Sequence, residues 1–283
     1  MNGDHSPTFP RIASIYGSNL TPQATDIELR LLSRYDLLIG GLPYWPLSAD
    51  ERDQLNANIR RLRDLNPDIL ILDFTIAAPY WPQVLSPQPP EEAFLHTVEG
   101  KRVGGWPSTD MLNLSRDEAI DFLVGRVSER LHDLDVDGFF IDCMFSHFDA
   151  WAVEIETHTP VRIDANGDHV EDTRKDLDAA WAAGKLRLME TLRAQHGDGK
   201  IMMVNAQQAG DFAKPWANGN YLEDYIDLTV TQQKAWQDIV RLYLDWCSVP
   251  HAPNCTTINA TPSYWPEYEA PMRLSYDECG DIL

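Results

Sequence analysis

Short apolar runs recur along the whole chain, and nearly every one is followed by an amphipathic stretch with helical spacing. The runs cover 11–17 (RIASIYG), 36–42 (DLLIGGL), 68–74 (DILILDF), 136–145 (VDGFFIDCMF), 200–206 (KIMMVNA), a weaker 219–228 (GNYLEDYIDL) and 254–263 (NCTTINATPS). Between them, Leu55, Ile59 and Leu62 fall near i, i+4, i+7, and Ile120, Leu123, Val124, Val127 and Leu131 share one helical face. Further helices are predicted over 175–194, through Leu177, Trp181, Leu188 and Leu192, and around Trp236–Cys247. Apolar strands alternating with helices mean βα units and a parallel sheet. This many units favours a (β/α)8 barrel over a doubly wound sheet. A single domain over 1–283 fits the roughly 250 residues such a barrel takes. An eighth strand is not evident, although 271–283 (PMRLSYDECGDIL) has room for part of a helix and a strand.

Helix starts are predicted from side chains that can accept a bond from a free backbone N–H. Thr21 with Pro22 at the first helical position marks one start, and Ser48 or Asp50 marks the next. Ser115, with Glu118 three residues on, has the pattern of a capping box. Two long stretches, about 77–110 and 146–174, have neither period.

Several classes of function drop out. Asp and Glu number 44 against 23 Lys and Arg, a net charge of −21, and no basic stripe is present to hold nucleic-acid phosphate or an anionic membrane surface. No GxGxxG follows the first run, and there is no P-loop, HExxH or GxSxG. Schiff-base chemistry in a barrel needs a lysine at a strand end. Lys101, Lys175, Lys185, Lys200, Lys214 and Lys234 all lie elsewhere. The N-terminal MNGDHSPTFP lacks a signal-peptide pattern. A Cys247–Cys255 bridge would suit an oxidising compartment, and a secreted or periplasmic setting is the working expectation.

A barrel places its active site at the C-terminal ends of its strands. The polar residues that close the runs are Asp73, Asp142, Asn205, Glu223 and Asn259. Asp142 stands out, because it interrupts an otherwise apolar octet. Two carboxylates across a barrel mouth suit glycoside hydrolysis, one protonating the leaving oxygen and the other attacking the anomeric carbon or activating water. Of nine tryptophans, Trp45, Trp81, Trp106, Trp151, Trp216 and Trp265 fall in predicted loops, where aromatic faces make platforms for sugar rings. His147 follows the fourth strand and is a further candidate for the site lining. The segment 164–178 places Asp164, Asn166, Asp168 and Asp172 at positions 1, 3, 5 and 9 of a calcium loop, with the Val170 carbonyl at position 7. Position 6 is His169 rather than Gly, and position 12 is Lys175 rather than Glu. A structural Ca²⁺ is one expectation. An acidic turn capping the next helix is the other.

The order DLLIGGL, NPDILILDF, MLNLS before a helix, DVDGFFIDCMF, the Asp-rich DANGDHVEDTRKDLDAAWAAGK and IMMVNAQ resembles the hypothetical glycosyl hydrolase 15 group. That group is similar in pattern to polygalactosaminidase-type barrels. The resemblance runs from about residue 10 to 262. It implies a (β/α)8 barrel acting on a polysaccharide or oligosaccharide, with no cofactor required for catalysis. It also implies Asp142 as nucleophile and Glu223 as acid/base, with the adjacent Asp224 as the alternative acid. Asp73, Asn113 and Asn205 would then hold sugar hydroxyls or orient the pair, and Tyr16, Trp45, Trp81 and Trp151 would stack on rings. A non-catalytic carbohydrate-binding barrel is the rival reading. It would keep the aromatics and need only one carboxylate.

Overall fold

The computed structural model describes residues 11–15, 20–43, 46–82, 85–106, 108–149, 161–206, 210–223 and 236–258. Seven barrel strands are present: β1 (Ala13–Ile15), β2 (Leu37–Ile39), β3 (Leu70–Ile76), β4 (Gly138–Asp142), β5 (Ile201–Val204), β6 (Gly219–Leu222) and β7 (Thr257–Ile258). They form one sheet in chain order, and every neighbouring pair is parallel. The helices are α1 (Asp26–Leu32), α2 (Ala49–Leu65), α3 (Asp117–Asp133), α4 (Arg174–His196) and α5 (Trp236–Trp246).

The sheet curls into a barrel. Leu37, Ile39, Leu72, Phe140, Ile201, Met203, Tyr221 and Cys255 form one buried cluster, and Ala13 and Ile15 of β1 pack on it beside Phe74. First and last strands therefore share one interior. Alternate residues, among them Leu38, Ile71, Phe139, Ile141, Met202, Val204 and Leu222, face outward into the layer under the helices. The amphipathic faces read from the sequence meet that layer. Leu55, Ile59 and Leu62 of α2 are fully buried, as are Trp181 of α4 and Trp246 of α5. The Gly in VDGFFID has a steric reason, since a Cβ on Gly138 would come within 2.0 Å of the Ile201 carbonyl oxygen on β5. The place of an eighth strand falls outside the described residues.

Three helix starts test the capping rules. Ser48 caps α2 in a capping box with Glu51. The first helix begins later than Thr21 predicts, because Thr25 and Glu28 form the reciprocal pair there. Ser115 does not cap α3. Its hydroxyl donates to Asn113 Oδ1 at 2.6 Å, and the helix starts one residue on, after Arg116.

The two irregular stretches are tied to each other. Pro79–Tyr80 pairs antiparallel with Asp110–Met111, and His96–Thr97 pairs with Ile163–Asp164. The Asp-rich loop hangs from this second ladder, and its carboxylates are turned onto its own backbone. Asp164 Oδ1 accepts from the Gly167 and Asp168 amides, and Oδ2 from His169. Asp172 Oδ2 accepts from Ala165, and Asp168 Oδ1 from Val170. Asn166 Oδ1 accepts from Asp168, and its amide donates to Asp172. Burial works to raise the Asp164 carboxyl, but the three amides outweigh it and hold it below the ordinary value. Among the described residues no group of three or more His, Cys, Asp or Glu side chains is placed to hold a metal ion. As folded, the side chains of Asp164, Asn166, Asp168 and Asp172 bond groups of the loop itself, with the Val170 N–H donating to Asp168. The loop is a self-bonded acidic turn ahead of α4.

Asp73 also departs from expectation. It sits inside β3 one residue out of step with the interior, and it faces the helices, where Arg130 of α3 grips it with two bonds of 2.7 Å. Both side chains are largely buried. Asp73→Ala should cost about 3–5 kcal/mol in urea unfolding, because it leaves the guanidinium buried and unpaired. The paired change Asp73→Leu with Arg130→Met should recover most of that loss. Asp164→Ala should cost about 2 kcal/mol at neutral pH. Its carboxyl is held low in the folded state, so its stabilising contribution is full above the ordinary Asp value of 3.8 and is lost as the pH falls from there through the lower folded-state value. Excess CaCl2 and excess chelator should give the same melting temperature.

Candidate active site

The inward parity of the barrel selects the site. Along β4, Gly138 and Phe140 face the interior, so Asp142 does too. Along β5, Ile201 and Met203 do, and Asn205 follows. Along β6, Tyr221 does, and Glu223 follows. The β4–β5 register runs from Gly138↔Ile201 to Ile141↔Val204, and the ladder continues upward through the Asn205 N–H to the Ile141 carbonyl at 2.9 Å. Three polar side chains from three successive strands therefore leave the apolar interior at one end.

They meet on one atom. Asn205 Nδ2 donates to Asp142 Oδ1 at 2.9 Å and to Glu223 Oε2 at 2.7 Å. Asn205 is fully buried and both carboxylates are half-buried. The amide can point only one way, because a flipped amide would set its oxygen against two carboxylates. That leaves Asn205 Oδ1 buried with no hydrogen-bond partner among the described residues, and an unmet buried acceptor costs about 1–3 kcal/mol.

Asp142 has a second anchor. The run 136–145 reads as one strand, but β4 ends at Asp142 and the chain turns sharply at Cys143. Cys143 has φ 60°, a left-handed conformation rare for a residue with a Cβ, and its N–H donates to Asp142 Oδ1 at 2.8 Å. The same turn lifts Phe145 out of the strand and into the mouth. Phe74, Trp81 and Trp106 pack on Ile76, Cys143 and Phe145, with the two indoles 5.8 Å apart. His147 stacks on Phe145 at 5.6 Å, and its Nδ1 lies 3.2 Å from the Phe148 carbonyl. An aromatic wall thus stands beside Asp142 on the β3–β4 side. The sequence reading missed Phe145 because CMF continues the apolar run without a break.

Asp142, Asn205, Glu223, Trp81 and His147 are placed at or beside this mouth. Asn113 is not free to hold a sugar hydroxyl. It is buried, its amide donates to the Ala165 carbonyl at 2.8 Å, and its oxygen takes the Ser115 hydroxyl and N–H. It fastens the Asp-rich loop to the start of α3. Asp73, as above, serves the helix layer. Tyr16, Trp45, Trp151, Asp224 and Asn259 lie outside the described residues. Cys143, Cys247 and Cys255 are free thiols, so the Cys247–Cys255 bridge is not formed.

Comparison with known proteins was made against this geometry. Among solved structures, the chain is similar to the ligand-free alpha-N-acetylgalactosaminidase NagBb from Bifidobacterium bifidum, at 13% identity and a TM-score of 0.44, over 70% of this chain and 31% of that one. It is similar to the glycoside hydrolase domain of PelA from Pseudomonas aeruginosa, at 11% identity and a TM-score of 0.44, over 75% and 67%. It is also similar to a noncanonic maltogenic alpha-amylase from Thermotoga neapolitana, at 10% identity and a TM-score of 0.49, over 83% and 55%. The chain spans less than a third of the length of the B. bifidum enzyme. No curated protein matches it. A family model for hypothetical glycosyl hydrolase family 15 matches residues 72–245, a stretch that holds most of β3, all of β4 to β6, and Asp142, Asn205 and Glu223. With more than half its length matched, the chain belongs to hypothetical glycosyl hydrolase family 15.

Proposed function

We propose that this chain hydrolyses O-glycosidic bonds of a polysaccharide or oligosaccharide by a retaining, two-carboxylate mechanism. The observation that carries the reading is the shared Asn205 amide. Bonds of 2.9 and 2.7 Å to one amide nitrogen hold the two carboxylates close, which favours the short separation of retaining enzymes over the wider one that leaves room for an inverting water.

The steps follow from the residues. Asp142 Oδ2 attacks the anomeric carbon while Glu223 gives its proton to the leaving glycosidic oxygen. The C–O bond breaks, and a glycosyl ester forms on Asp142. Glu223, now a carboxylate, takes a proton from a water that attacks the same carbon and releases Asp142. Oδ1 of Asp142 stays on the Cys143 and Asn205 donors, so the nucleophile turns its other oxygen to the sugar. Trp81, Trp106 and Phe145 offer ring faces on the β3–β4 side of the attacked carbon.

The test is release of reducing ends from a broad glycan panel by the full chain, with Asp142→Asn, Glu223→Gln and Asn205→Ala in parallel. The first two should lose about 10²–10⁴-fold in kcat. Asn205→Ala should lose about 10²-fold while staying folded, since it misplaces both carboxylates and removes neither. Proton NMR of the first product formed should show the anomeric configuration of the substrate. Inverted product would reject the retaining mechanism. Glycan binding by the parent without any release would mark a binding barrel instead.

A further inference from the structure

Lys185 belongs to no part of that mechanism, yet it is fully buried. It lies on α4, and its ammonium donates to both Asp149 oxygens and to the Phe145 carbonyl, each at 3.1 Å. All its protons are directed at one loop, 143–149, the segment that joins the end of β4 to the rest of the mouth. Asp149 is fully buried too. Burial pushes its carboxyl up, and the Lys185 charge opposes that shift.

The rest of the same helix face grips the same loop. Asp178 Oδ1 accepts from the Phe148 N–H at 2.9 Å, and Arg174 donates to the Phe148 carbonyl at 3.1 Å. The Phe148 ring meets Trp181 edge-on at 4.7 Å. Arg174, Asp178, Trp181 and Lys185 follow one another at helical spacing on one stripe. A buried ion pair is a poor way to gain stability, since apolar side chains of equal volume do as well or better. Its bonds are specific in direction, and here that direction is the turn whose Cys143 N–H holds the nucleophile and whose Phe145 builds the wall.

We propose that Lys185 is a positioning residue: with Asp149 it clamps the 143–149 loop onto α4 and so fixes Asp142 and Phe145 at the barrel mouth. The catalytic half of this inference rests on the glycosidase reading. The clamp itself does not, and Cys143 reports on it directly. That thiol is buried at the start of the loop, and burial, then the Asp142 and Asp149 charges, push its pKa well above the ordinary value. It should therefore resist alkylation while the loop is held.

The experiment uses the full chain carrying Lys185→Met with Asp149→Leu, a swap that leaves no buried charge. N-ethylmaleimide labelling is read cysteine by cysteine through peptide mass spectrometry, with Cys255 in the barrel floor as the internal control. The expected result is a parental melting temperature, Cys143 labelled at least about tenfold faster, and Cys255 unchanged. On any glycan the parent cleaves, kcat should fall by about 10–100-fold with KM within about threefold. Cys143 still protected in the folded double variant overturns the clamp. Should the double variant melt early and expose both thiols, Asp178→Ala, at the outer edge of the stripe, decides. Faster Cys143 labelling there, with the parental rate in Asp178→Asn, supports the clamp, and unchanged labelling overturns it. A parent that cleaves nothing while labelling still responds would remove the glycosidase reading and leave the clamp standing.

Discussion

The period of two along a strand governs this molecule. A small barrel fills its interior with side chains from alternate positions, and here Phe74, Phe140 and Tyr221 occupy it, with ring centroids 6.2 and 6.1 Å apart. Nothing polar fits beneath them, so polar chemistry is admitted only where the strands end. Asp142, Asn205 and Glu223 keep the inward parity and sit one layer above those rings. Asp73 lies in just as apolar a run but on the other parity, and it ends in a salt bridge with Arg130 among the helices. One residue of phase separates a site carboxylate from a structural one.

That phase sets how much was legible from the residues. The alternation of runs and amphipathic stretches identified the strands, their parallel order and the helix faces, because burial enforces period 2 in one and period 3.6 in the other. Asp142 was legible as a strand-end carboxylate, because it closes an otherwise apolar run. Asp73 misled, since a polar residue at the end of a run looks the same whether it turns to the mouth or to the helices, and Asn113 came only with the family resemblance. The Asp-rich segment admitted two readings for a related reason. Asp and Asn at alternate positions are what a calcium loop needs, and they are also what a turn needs to bond its own amides. Phe145 was hidden by the opposite fault, a left-handed turn at Cys143 inside an unbroken apolar run, where no glycine announces it.

Several unfavourable local features meet at one corner. The positive φ of Cys143, the Asn205 Oδ1 with no partner among the described residues, and the buried Asp149 with its partner Lys185 of α4 lie at or against the end of β4. Each costs free energy that an apolar core would not, and the remainder of the barrel offsets them with ordinary packing. Such a concentration is expected where geometry is held for chemistry rather than for stability.

The identity of the residue between the carboxylates matters as much as its position. Arg or Lys in place of Asn205 would also bridge them, with a stronger bond to each. A cation there would favour both groups ionised, whereas a retaining glycosidase needs one carboxylate and one carboxylic acid at the start of the cycle. A neutral amide fixes the distance without imposing a charge on either partner. It can remain bonded to Glu223 Oε2 whether Oε1 carries a proton or not, so in the proposed mechanism the acid and base halves of the cycle would run on one unmoved scaffold.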